Sequence, residues 1–308
     1  MKLACAWALL IAAVSALAGT GALEPAELHA NGATIAVSFD EGAPDLPREA
    51  WLKWVGDGAS AVSTYYGRFP VKTVSVRVVL QAGRGVHTAM TYGYPKPLIR
   101  AVVGERATTA ELGKDWMIAH EMVHLAFPSV SDDHHWIEEG IATYVEPIAR
   151  VQAGQLGADE VWHQLVEGLP KGLPARGDQG LDHTHTWGRT YWGGALFCML
   201  AEVRIRERTR NSKGLQDALR AIVRRGGSIE ADWPLEQALK VGDEGTGTTV
   251  LSELYASMRA APYAVDLEAL WKKLGVKLVG GKMAYDDTAP QAAIRRAITQ
   301  VTQVTPPG

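Results

Sequence analysis

The chain has 308 residues, 47% of them hydrophobic and 21% charged, and its 34 acidic against 31 basic side chains leave a net charge of −3. This length and apolar content suffice for one large core or two smaller lobes, and they exclude a disordered or collagen-like chain. The small negative charge offers no basic excess for neutralising phosphates, so no nucleic-acid partner is expected.

Met1 and Lys2 precede an uncharged run from Leu3 to Ala18 that closes in the small-residue tract SALAGTGA. This is the three-part pattern of a secretory signal peptide, and the run is short of the roughly 20 apolar residues of a spanning helix. Residues 1–22 therefore read as a leader cleaved after Ala18 or Ala22, with export to a periplasmic or extracellular location and no stable membrane insertion afterwards. Of the two cysteines, Cys5 falls in this leader. Cys198, in GALFCML, is then alone and reads as a small buried hydrophobe.

Further along, ATIAVSFD (Ala33 to Asp40) alternates as a strand, and Trp51, Trp54, Val55 and Val62 recur at helical spacing. A second strand is predicted in VKTVSVRVVLQ, from Val71 to Gln81. GRGVHTAMTYGYPKP is rich in turn formers, and LIRAVVG reads as a short strand at a sheet edge. From Thr108 the pattern becomes helical. Thr108 and Glu111 have capping-box spacing, which predicts one helix running through TTAELGKDWMIAHEMVHLAF to Pro128. A second helix is predicted over HWIEEGIATYVEPIARVQAG, then a Gly- and Pro-rich loop from Glu167 to Thr186 of the kind that borders clefts. Helices resume in WGRTYWGGALFCMLAEVRIRERT, GLQDALRAIVRR and LSELYASMRA.

His120 and His124 lie one turn apart on the first of these helices, so both imidazoles can aim at one point. That spacing suits a zinc ion, with Glu121 beside the first histidine as general base towards water. The flanking Trp116, Met117, Ile118, Met122, Val123 and Leu125 bury the helix on most sides, and buried His, Glu and His side chains need partners. A catalytic zinc usually has three protein ligands. The third is sought in HHWIEEGIATYVE, where adjacent Glu138 and Glu139 point in different directions and periodicity does not choose between them.

HExxH followed by WIEEGIATY resembles the gluzincin (clan MA) zinc metallopeptidases, in particular the M61 glycyl-aminopeptidase type and the M1 aminopeptidases. The resemblance implies a zincin-like, thermolysin-type α+β fold of two lobes. A mixed α/β lobe would occupy residues 23–127, a mostly helical lobe 128–299, and a flexible tail 300–308. It also implies Glu139 as third ligand and one zinc per chain. TYWGGA is similar to the Y-x-K-G-A segment of these families, which assigns Tyr191 to the oxyanion, with Gly193 in place of the usual lysine. Glu138, His183 and His185 are further candidates for contact with a peptide substrate, and Trp187 reads as a core aromatic. Where M1 enzymes carry GxMEN, with a glutamate for the substrate's amino group, this chain has TAMTYG, placing Thr91 at the acid. Specificity for free N-termini therefore does not follow. The expected activity is hydrolysis of peptide bonds. The rival readings are a zinc-binding protein without turnover and a non-peptidase hydrolase on the same scaffold.

Overall fold

The computed structural model describes residues 23–42 and 44–301. The leader expected at 1–22 and the tail from 302 onward lie outside the described residues. Among the described residues, no helix is long and apolar enough to cross a membrane.

The first strands, β1 (Ala26–Ala30) and β2 (Ala33–Phe39), form a hairpin. Its turn is Asn31-Gly32, both at positive φ, which matches the twist of the paired strands. Helix α1 (Arg48–Tyr66) crosses over to β3 (Thr73–Gln81), which pairs parallel with β2. Two further strands, β4 (Val86–Tyr92) and β5 (Leu98–Gly104), complete a sheet of order β1-β2-β3-β5-β4. The turn formers expected before β5 thus include a strand. β5 is not an edge but lies between β3 and β4, and this accounts for the burial of Ile99, Ala101, Val102 and Val103. β4 takes the edge, and its residues remain half-buried or exposed.

The single helix predicted from Thr108 is two. The capping box at Thr108 and Glu111 opens α2 (Thr109–Lys114), and the chain turns to extended geometry at Asp115 before α3 (Met117–His124) begins. The Asp115 carboxylate accepts the main-chain N–H groups of Met117 and Ile118, at 3.2 and 3.1 Å, and the Trp54 indole N–H at 2.9 Å. Orphan donors at the start of α3 are thereby satisfied, and its direction is tied to α1.

The remainder is mainly helical, with α4 (His135–Gln152), α5 (Ala158–Gly168), α6 (Gly194–Arg208), α7 (Leu215–Arg224), α8 (Leu235–Thr246), α9 (Val250–Met258), α10 (Leu267–Leu274) and α11 (Ala292–Ile298). A small hairpin, β6 (Val276–Val279) with β7 (Lys282–Tyr285), interrupts the region expected to be helical. One continuous apolar core runs from Leu28 in β1 to Ile298 in α11, and Cys198 is fully buried within it. α4 lies against α1, α3 and α6. That central position carries Glu139 to the end of α3.

Candidate metal centre and active site

His120 and His124 on α3 meet Glu139 of α4 at one point. The His120 Nε2 and His124 Nε2 atoms lie 3.2 and 3.7 Å from Glu139 Oε2. Among the described residues, these three form the grouping of ligand atoms able to hold a metal, all within 4.8 Å of one another. His120 and Glu139 are only 5% and 8% exposed. Burial, and then the neighbouring His120, push His124 down to about 3, so its ring is neutral and its lone pair free at ordinary pH. Burial alone would raise Glu139, but the His120 hydrogen bond and the facing His124 outweigh it and hold the carboxyl below its usual value. Neutral imidazoles and an ionised carboxylate are the states that zinc ligands require. The donor set fits that ion.

Glu138, the neighbour that periodicity could not separate from Glu139, points elsewhere. Its Oε2 contacts His135 Nδ1 at 3.2 Å, and His135 Nε2 in turn lies 3.4 Å from Glu139 Oε1. His135 thus braces the oxygen of Glu139 that faces away from the two histidines. His134 turns away, towards the Tyr255 hydroxyl at 3.0 Å.

Glu121 is 9% exposed, and its carboxylate is met by the Thr91 hydroxyl at 2.7 Å. Burial raises its pKa, and the Thr91 hydrogen bond works in the opposite direction. A carboxylate shifted upward in this way is better matched to taking a proton near neutrality. Thr91 is the residue that sequence reasoning passed over, noted only for lacking a charge. The available signal was its position in TAMTYG, but the contact exists only because β4 is a strand that passes beside α3.

Tyr191 reaches the same place from a π-helical turn, Gly188–Gly193, that leads into α6. Such turns recur at functional sites. Its ring lies nearly parallel to His120, with centroids 6.4 Å apart. Burial, then the charge of Glu139, push the phenol up to about 12, so it stays a donor at neutral pH. Arg189, two residues earlier, is buried in an ion pair with Asp178 at 2.7 Å and donates to the Gly172 carbonyl. These contacts anchor the turn that presents Tyr191.

His120, Glu121, His124, Glu138, Glu139 and Tyr191 all line one cavity of about 590 Å³, with β4 along another side. Clefts of this size hold small ligands or short peptide segments. His183 and His185, candidates from the sequence, are exposed on the loop after Gly172 and are not part of the lining. Trp187 is 61% exposed rather than buried in the core, and it stacks on Tyr191 with centroids 5.9 Å apart. Trp116, 47% exposed, lies edge-on to His120.

No family model and no curated protein matches the chain. Solved structures do. The fold is similar to that of M1 zinc metallopeptidases. One from Deinococcus radiodurans is 14% identical, with TM-score 0.52 over 79% of this chain and 53% of that one. A mutant form of that enzyme bound to a Tyr-Ser-Ala substrate matches at 13% identity and TM-score 0.52, with the same shares covered. An aminopeptidase N family protein from Idiomarina loihiensis is 10% identical, with TM-score 0.57 over 82% of this chain and 49% of that one. The chain spans about half the length of these structures, and at such identity the likeness concerns the fold, a mixed sheet followed by many helices.

Proposed function

We propose that the protein is an exported zinc-dependent peptidase of the gluzincin type. One observation carries this reading: His120, His124 and Glu139 converge on a buried point, with Glu121 and Tyr191 on the walls of the same cavity. The EEGIA and TYWGG stretches, which resemble M61 as well as M1 enzymes, support the same group. Location outside the cytoplasm rests on the leader pattern of residues 1–22.

His120, His124 and Glu139 would hold a zinc ion, which when bound would supply Lewis acidity towards a peptide carbonyl and bring the pKa of water towards neutrality. Glu121 takes the proton of the attacking water and returns it to the leaving amine. Tyr191 donates its hydroxyl to the carbonyl oxygen as that atom gains negative charge. The outer edge of β4 is unpaired among the described strands and borders the cavity, so an extended peptide can lie along it by adding main-chain hydrogen bonds. A peptide substrate is also what the Deinococcus structure contains. A zinc-binding protein without turnover needs the three ligands but has no use for a buried Glu121 on the cavity wall, which favours the catalytic reading.

The test pairs metal analysis with a peptide library. Wild type and Glu121→Gln should both hold one zinc per chain, and only wild type should cleave. Wild type without stoichiometric zinc refutes the mechanism, and zinc without cleavage refutes the peptidase reading and favours the binding protein.

A further inference from the structure

The edge strand and the metal-binding helix are joined through one side chain. Thr91 is half-buried near the end of β4, and its hydroxyl lies 2.7 Å from Glu121 Oε2 and 2.9 Å from the Glu121 main-chain oxygen. Both acceptors belong to the same residue, so one O–H, shared between them, restrains both the backbone and the end of the side chain. Among the described residues, Thr91 is the sole hydrogen-bond donor to the Glu121 carboxylate, and Oε1 has no hydrogen-bond partner. A glutamate has three side-chain torsions, and without a partner a buried carboxylate has little to select one arrangement. A base set off line by about 1 Å loses much of its effectiveness.

We propose that Thr91 is a positioning residue for the general base: it holds one oxygen of Glu121 in place and leaves the other to take the proton. This rests on the peptidase reading of the same site. The position is occupied by a side chain with no charge, so its contribution is orientation and not binding of a substrate ammonium.

Thr91→Val keeps the size and Cβ branching that suit a strand while removing the donor. Thr91→Ser keeps the donor and removes only the methyl group. For the zinc-loaded proteins, Thr91→Val should lower kcat roughly ten- to a hundredfold, the range of a hydrogen bond to a charged acceptor, with KM little changed. Thr91→Ser should restore most of that loss, and in a Glu121→Gln background Thr91→Val should add no further loss. Crystal structures provide a readout free of turnover: Glu121 should hold one rotamer in wild type and in Thr91→Ser, and should spread over several in Thr91→Val. An unchanged kcat in Thr91→Val, a loss confined to KM, an equal loss in Thr91→Ser, or an unmoved Glu121 in the Thr91→Val crystal overturns the proposal. Cleavage that persists in Glu121→Gln shows that Glu121 is not the base and overturns the proposal, whereas zinc-loaded wild type that cleaves no peptide refutes the peptidase reading instead, and the rotamers of Glu121 then still decide whether Thr91 holds it.

Discussion

Gly140 follows the proposed ligand Glu139, and replacing it with alanine sets two effects of opposite sign against each other. In an exposed helix, Gly→Ala stabilises by about 1 kcal/mol. Here a Cβ on Gly140 would stand 2.3 Å from the Gly194 Cα and carbonyl carbon and 2.9 Å from the Ala195 nitrogen, where 3.4–4 Å is ordinary contact. The neighbour is equally tight, since a Cβ on Gly194 would lie 2.1 Å from the Trp136 carbonyl oxygen. The overlap is about 1 Å, and the atoms struck are backbone, which cannot rotate aside. Overpacking of a core costs roughly 1–3 kcal/mol, occasionally more, and a clash between two helix backbones belongs at the upper end. After the gain in helix propensity is subtracted, Gly140→Ala should destabilise by about 2 kcal/mol. Gly113 in α2 is the control, exposed and with nothing within 4 Å of its Cβ position, so Gly113→Ala should be neutral or stabilising. Urea unfolding at constant m measures both. Moving α4 from α6 also separates Glu139 from Tyr191, so kcat should fall in Gly140→Ala before zinc is lost. If Gly140→Ala is as stable as wild type, or shifts in the same direction as Gly113→Ala, close packing of the two helices is not what the glycines provide.

Removing the Tyr191 hydroxyl by Tyr191→Phe should lower kcat about 10²–10³-fold, as loss of one oxyanion donor does, with zinc content and the urea midpoint unchanged; steady-state kinetics and metal analysis check both. Glu146 and Arg150 form a buried ion pair at 2.8 Å, yet burial still pushes Glu146 up to about 6 from the 4.5 it has when unfolded. Its contribution to stability is therefore complete below pH 4.5 and lost as pH rises through about 6, about 2 kcal/mol in all. Glu146→Gln should flatten that slope in urea midpoints measured between pH 4 and 7, a range that spans the window from 4.5 to about 6, and a slope that persists assigns it to other groups. Chelation of the metal should lower the thermal midpoint reversibly, by an amount that grows with free zinc concentration, and equally in wild type and Glu121→Gln.

Local signals carried the parts of the fold whose cause is local. The alternation in β2 and β3, the spacing of Trp51, Trp54, Val55 and Val62 in α1, and the Thr108–Glu111 capping box all form as the sequence predicts. The break at Asp115 was missed because nothing in its neighbours excludes a helix. It arises from a hydrogen bond with Trp54, 61 positions away, together with the cap on α3. β4 and β5 were misjudged for a similar reason, since which strand lies at an edge depends on pairing partners that composition does not name.

At the candidate site, the His120, Glu121 and His124 group was legible because an i, i+4 spacing on a helix already brings side chains together. Choosing Glu139 over Glu138 required a resemblance, and geometry then placed Glu139 against both histidines and turned Glu138 to His135. His183 and His185 were proposed from closeness in sequence to Tyr191, which does not determine where a loop goes. By itself the sequence determined the chemistry on offer: which residues can ligate a metal, accept a proton or donate to an oxyanion, and which helix carries the first three. Only the tertiary structure decided how these groups meet, through a glycine contact that lets α4 and α6 touch and a threonine on an edge strand that reaches Glu121. Both depend on surfaces brought together from distant parts of the chain, and short-range spacing carries no information about that distance.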